Sequence, residues 1–408
     1  MKLKLNLYSL FLVVNTCFVC ASAYADSISV VVENNWSKPK YNEPVVLTSN
    51  EIPFLNSGEN IVVMDGDKII PVQLDDLNSD SEYDELVFVA DIPAKDSKTF
   101  IIKTTEEKIT YTPRVHAQMM INDKKSRFPH ISSMTVPGTT KFGDIYDALY
   151  HHGPAFESEL VGFRVYFDNR QSVDIYGKKH KRLELSETNF YTTAKQKSEG
   201  YGCDILWAGT SIGLGSFRGW SNNNYVTLDS VESRTGGVLA YGPVRTVVEF
   251  KDKDWVINGR VLNISQRYVL YSGHRDVNVS IDFKGDTNNM LFCTGVQKLE
   301  KNNTGFVLEN GLAGSWGRNF PDKNDTINNK IETLGLGINV PTKFVNKTVE
   351  ETNNYLILVN PKSNTLDYNI IFFSEKEENG MRGSKEWFGY LKEWREGLNT
   401  PCKVYVKK

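Results

Sequence analysis

The sequence is poor in the groups from which most metal and redox centres are built. Six histidines and five cysteines are spread over 408 residues, and no Cys/His/carboxylate cluster has the spacing of metal ligands. Cys17 and Cys20 fall in an N-terminal apolar run. The other three, Cys203, Cys293 and Cys402, are too few for a disulfide scaffold in a chain of this size, and buried thiols are expected. Beyond residue 25 there is no run of about 18 apolar residues, so no membrane-spanning helix is expected. No basic stripe appears and the net charge is −3, which argues against nucleic acid as a partner. There is no internal repeat and no Gly-Lys-Ser/Thr phosphate loop. Nothing calls for a metal or a cofactor.

What is present starts with a leader. Met1-Lys2-Leu3-Lys4 is a short basic segment, Leu5 to Ala21 is apolar, and Ala23-Tyr24-Ala25 has the small-x-small pattern of a signal-peptidase site. Residues 1–25 are therefore expected to be a cleaved secretory signal, with a periplasmic mature chain starting at Asp26. The residues before Cys17 and Cys20 fit a lipobox poorly.

The rest reads as strand. Period-two runs rich in Val, Ile, Tyr and Phe alternate with Asn, Asp and Gly, as in Ser27–Val32, Glu85–Ala90, Arg245–Phe250 and Asp276–Phe283. The expected fold is all-β. Residues 26–108, with short strands and close turns such as Asp65-Gly66, read as an immunoglobulin-like sandwich. A linker is placed near Lys108 to Pro113. Residues 109–408 read as a large antiparallel β-sandwich with a concave face, of the mutarotase-like supersandwich kind. One helix is expected from Ser384 to about Leu398, because Trp387, Leu391, Trp394 and Leu398 share a helical stripe. Gly397 and Pro401 mark its end.

Chemistry concentrates between Tyr150 and Lys179. His151 and His152 are adjacent in a shaped Gly-Pro loop, and imidazoles titrate near neutral pH, as a general acid or base must. Taken as a strand, Leu160 to Phe167 points Val161, Phe163, Val165 and Phe167 into the core. Gly162, Arg164, Tyr166 and Asp168 point the other way. A turn at Asp168-Asn169-Arg170-Gln171 returns the chain, with Ser172, Asp174, Tyr176 and Lys178 on one face. Two cations and two phenols then share a polar surface. Glu157 and Glu159 lie two residues apart on one strand, which is not how a glycosidase flanks a sugar. Gly200 to Trp220 is glycine-rich and reads as strand–loop–strand with close backbone crossings. Tyr201, Asp204, Arg218 and Trp220 are candidates to line the same cleft. His274 has a weaker claim, and His116, His130 and His180 read as surface or packing residues.

Three motifs in order, His151-His-Gly-Pro-Ala-Phe-Glu157, Asp174-Ile-Tyr-Gly-Lys178 and Gly202-Cys-Asp-Ile-Leu206 with Gly209-Thr-Ser-Ile-Gly-Leu-Gly215, resemble the domain of unknown function 4861 family. The resemblance covers most of the chain after the leader. Where the family pattern has Met before Asp204, this chain has Cys203. These are exported proteins of polysaccharide-degrading Bacteroidetes that accompany unsaturated-uronyl hydrolases. One of them is the oligosaccharide dehydratase of ulvan breakdown. The resemblance thus implies a carbon–oxygen lyase acting on a uronate-containing oligosaccharide, without assigning residue roles.

Such a reaction removes the weakly acidic C5 proton and expels the C4 hydroxyl, so charge building toward the carboxylate must be stabilised in a dry cleft. Arg164 or Lys178 is expected to meet the carboxylate. His152 or His151 is expected to transfer one proton and Tyr166 the other. Glu157, Tyr201, Asp204, Arg218 and Trp220 are expected to hold substrate. Two alternatives stand beside this: a chain-cleaving uronate lyase, and a non-catalytic carbohydrate-binding protein.

Overall fold

The computed structural model describes residues 26–123, 128–138, 147–324, 326, 329–378 and 380–407. The expected signal segment lies outside the described residues. No described helix is long and apolar enough to cross a membrane.

Alternation along the strands builds the N-terminal sandwich. Ser27–Asn34 buries every second residue and pairs antiparallel with Asp96–Thr105. That sheet faces a three-stranded sheet of Lys40–Thr48, Glu85–Ile92 and Val72–Asp75. Val30, Val45, Phe88 and Phe100 are buried between them. The free edge of Ser27–Asn34 pairs with Lys403–Lys407, Val30 opposite Val406. Lys403–Lys407, expected from the sequence to belong to the second domain, lies in the first sheet and forms its edge.

The second sandwich is larger. Nine antiparallel strands form one sheet that includes Arg245–Ile257, Arg260–Tyr271 and Asp276–Lys284. Two five-stranded sheets complete it, and a single large apolar core includes residues of all three sheets. The expected helix spans Ser384–Leu398. Trp387 and Leu391 are fully buried, and glycines in the sheet make their seat. A Cβ on Gly335 would lie 2.7 Å from the Trp387 ring, and one on Gly337 2.4 Å from Leu391 Cδ2. Close approach of helix and sheet needs glycine at these two places.

The hairpin that carries the site belongs to a five-stranded sheet. Val161–Val165 pairs with Val173–Gly177, placing Arg164 opposite Asp174 and Gly162 opposite Tyr176. Val161, Phe163, Val165, Phe167, Val173 and Ile175 all enter the large core. The short strand Cys203–Asp204 extends the sheet beside Val173–Gly177.

Candidate active site

The loop before the hairpin is pinned to it. Phe167 N–H donates to His152 O at 2.8 Å and Val165 N–H to Pro154 O at 3.1 Å. Gly153 lies so close to the next strand that a Cβ would sit 2.0 Å from Val165 O. The preceding turn is strained: His151 has φ 49° and His152 φ 64°, and nearby Asn189 and Phe190 are also left-handed, at 46° and 68°. Side chains with a Cβ avoid this region at a cost of about 1–2 kcal/mol each, and strain of this kind collects at functional sites.

These elements surround a cavity of about 580 Å³, within the size range of small-molecule sites. His152, Arg164, Tyr166 and Asp204 line it, together with Arg170, Tyr191, Lys197 and Trp207. Arg164 organises its floor. Its Nε and Nη2 donate to Asp174 Oδ2 at 3.0 and 2.7 Å. Nη2 also reaches Tyr166 Oη at 2.9 Å and Asp204 Oδ2 at 3.1 Å. Nη1 reaches Tyr191 Oη at 3.2 Å, and the guanidinium lies over the Phe190 ring at 4.3 Å. Burial opposes its charge, but the oxygens of Tyr166, Asp174, Asp204 and Tyr191 outweigh burial and hold it protonated. Asp204 is pushed well above the usual carboxylate range, first by burial and then by the charge of Asp174, against the pull of Arg164. Tyr166 O–H donates to Asp174 Oδ2 at 3.2 Å. The His152 and Tyr166 rings stack with centroids 5.9 Å apart and planes 8° from parallel.

The two histidines separate. His152 lines the cavity. His151 is buried, its Nδ1 bonded to Gly153 O at 2.8 Å. Its Nε2 is buried without a hydrogen-bond partner among the described residues. Burial and then the nearby Arg164 charge lower its pKa to about 3. A neutral, enclosed imidazole of this kind does not fit proton transfer near neutral pH.

Lys178 also differs from expectation. It shares a face with Arg164, but its ammonium is fully buried against Glu157 and donates to Ser158 O at 2.6 Å and Arg182 O at 2.8 Å. Glu157 accepts from Glu184 and Leu185 N–H as well. This buried ion pair ties the strand Ala155–Ser158 to the helix Leu185–Thr188, and neither residue lines the cavity. Tyr201 stands elsewhere too, bonded to Glu187 and covered by Arg182 at 4.0 Å. Trp220 packs with Ile212, Cys293, Leu356 and Leu358. Arg218 lies behind the wall of this cavity, where its Nη2 donates to Ser172 Oγ at 3.1 Å, and it lines an adjoining cavity of about 400 Å³.

Arg170, Tyr191, Lys197 and Trp207 line the cavity without having been singled out from the sequence, and Asp174, placed on the polar face of the hairpin, had been given no role. Asp174 was within reach, because the hairpin register sets it opposite Arg164. Tyr191 and Lys197 come from the segment around the short helix Ala194–Ser198, which carries no periodic signal. Cys203, Cys293 and Cys402 are free thiols.

The model of the family described as domain of unknown function (DUF4861) matches residues 32–404. The chain belongs to this family. A protein of Formosa agariphila named uncharacterized protein P7 is 22% identical over 444 residues, covering all of both chains. Among solved structures, a glycosyl hydrolase family 38 protein from Enterococcus faecalis is 10% identical with a TM-score of 0.46, over 94% of this chain and 47% of that one. An alpha-mannosidase from Enterococcus faecalis V583 is 11% identical with a TM-score of 0.43, over 94% and 46%. This family member spans about half the length of those two structures.

Proposed function

We propose that the protein is a carbon–oxygen lyase. It removes water from the non-reducing-end uronic acid of an ulvan-type oligosaccharide and leaves a 4,5-unsaturated uronyl end. The observation that carries this proposal is the stacked His152–Tyr166 pair at a cavity wall, with the Arg164 guanidinium 2.9 Å from the phenol oxygen. His152 takes the C5 proton. Tyr166 gives its proton to the departing C4 oxygen, and Arg164 stabilises the phenolate that forms. Arg164 already serves four side-chain oxygens and Arg170 is held by Asp168 Oδ2 at 2.7 Å, so the substrate carboxylate meets Lys197 on the cavity wall instead.

Two further cavities favour an oligosaccharide over a single sugar. One of about 400 Å³ shares Arg170 and Gly209 with the main cavity, and one of about 450 Å³ shares Trp207, Ala208 and Gly209. They give the rest of the chain somewhere to lie, and Trp207 offers an aromatic face for a sugar ring. The catalytic unit in this proposal is the large sandwich, working in the periplasm after removal of the leader.

The test is incubation of the chain from Asp26 onward with uronate-terminated ulvan oligosaccharides, following double-bond absorbance and product mass. New absorbance with loss of one water and no chain cleavage supports the dehydratase. New absorbance with shorter chains makes the protein a chain-cleaving lyase. Binding without any product on a panel of uronate oligosaccharides makes it a carbohydrate-binding protein.

A further inference from the structure

The His152–Tyr166 stack also bears on stereochemistry, an inference that rests on the dehydratase reading above. The two rings are nearly parallel and close, at 8° and 5.9 Å, and both line the same cavity. The backbone under each ring is fixed. The His152 backbone is held from both sides, its N–H donating to Leu149 O at 3.1 Å and its C=O accepting from Phe167 N–H at 2.8 Å. Tyr166 is held through its N–H to Ser172 O at 3.0 Å and through its phenol to Arg164 and Asp174. A sugar ring seated against this stack shows one face to both side chains. The proton acceptor and the proton donor therefore act on that one face.

We propose that the elimination is syn, and that the substrate is a uronate whose C4 oxygen and C5 hydrogen lie on the same face of the ring. D-glucuronate and D-mannuronate have this configuration. L-iduronate and D-galacturonate have the two groups on opposite faces, and their elimination calls for an acid and a base across the ring from each other. In the syn step the C5–H bond breaks and its proton goes to the imidazole of His152. The electron pair becomes the C4–C5 π bond. The C4–O bond breaks, and the oxygen leaves with its electron pair and takes the Tyr166 proton to form water. The imidazolium then returns a proton to the phenolate through solvent, so nothing is oxidised or reduced. Passage through an enolate before the C–O bond breaks leaves the face requirement unchanged.

The experiment compares saturated oligosaccharides that differ only in their terminal uronate: D-glucuronate, its C5 epimer L-iduronate, and its C4 epimer D-galacturonate. Each is incubated with the chain from Asp26 onward, and kcat/KM is read from double-bond absorbance and loss of one water by mass. The D-glucuronate end is expected to react at least about tenfold faster than either epimer, a discrimination within reach of a pocket of fixed geometry. Equal rates, or faster reaction of the iduronate or galacturonate end, overturn syn elimination while leaving the dehydratase standing. Loss of water from none of the three overturns the dehydratase and the syn step with it.

Discussion

His151 and His152 are chain neighbours with opposite surroundings, and that contrast yields two predictions. His152 lines the cavity and stacks on Tyr166. His152→Ala and Tyr166→Phe are each expected to lower kcat by about 10²–10⁴-fold, the usual worth of a general acid or base. Circular dichroism and the thermal midpoint should stay close to wild type. A variant that keeps full turnover removes that residue from the mechanism. His151 acts on stability instead. Its pKa is 6.5 in the unfolded chain and about 3 in the folded one. Between those values the unfolded chain binds a proton that the folded chain refuses, so stability falls as pH drops from 6.5 toward 3. Above 6.5 both forms are neutral and the contribution is flat. Urea midpoints across this range should show a shallower acid slope for His151→Asn, and an unchanged slope refutes the assignment.

At the scale of elements, the site depends on how tightly one loop is laid on one hairpin. Gly153 has no room for a side chain, since a Cβ would meet Val165 O at 2.0 Å. Backbone must move to accept even a methyl group, and His152 is the neighbouring residue in the chain. Gly153→Ala is expected to displace His152 and to cost more in kcat than in KM, with a destabilisation of about 1–3 kcal/mol from overpacking. Parallel kinetics and denaturant titration check both parts. The hairpin itself was largely legible from the sequence. Alternation fixed which residues of Val161–Phe167 enter the core, and the turn set Asp174 facing Arg164. Lys178 shows where that logic ends. Period-two geometry assigns a face, but Lys178 lies near Gly177 at the far end of the pair from Val165, and there Glu157 captures it.

Across the whole molecule, the two sandwiches are joined by buried polar contacts as well as by the returning strand Lys403–Lys407. Arg245 of the large sandwich bonds Asp75 at 2.7 Å in the small one. His274 donates from Nε2 to Asn42 O at 2.9 Å and from Nδ1 to Asp276 at 3.0 Å. Only the imidazolium donates at both nitrogens. Burial lowers the His274 pKa, but the Asp276 hydrogen bond and charge and the Asn42 carbonyl raise it further, and the net shift is upward from 6.5. The contribution of His274 is therefore fully present below pH 6.5 and fades as pH rises through the elevated folded value. The joint at Asn42 should loosen above that point. Limited proteolysis over a pH series is expected to cut the Asn42 region faster at alkaline pH in the wild type, with the pH dependence lost in His274→Gln. PH-independent cutting in the wild type removes His274 as the cause.

The sequence by itself determined the strand alternation, the stripe of the C-terminal helix and the hairpin whose residues line the main cavity. These features follow from backbone periodicity, which acts over a few residues. Tertiary structure decided the rest: His152 rather than His151 at the cavity, Arg164 bound to protein carboxylates, Lys178 sealed away from it, and the last strand returned to the first sheet. Each of those outcomes turns on burial and on charges distant in sequence. Asp204 acts on Arg164 from 40 residues away, and desolvation together with Asp174 sets the state of its carboxyl group. Periodicity places a side chain on a face, whereas only the folded chain fixes the solvent and the partners that give it a chemical role.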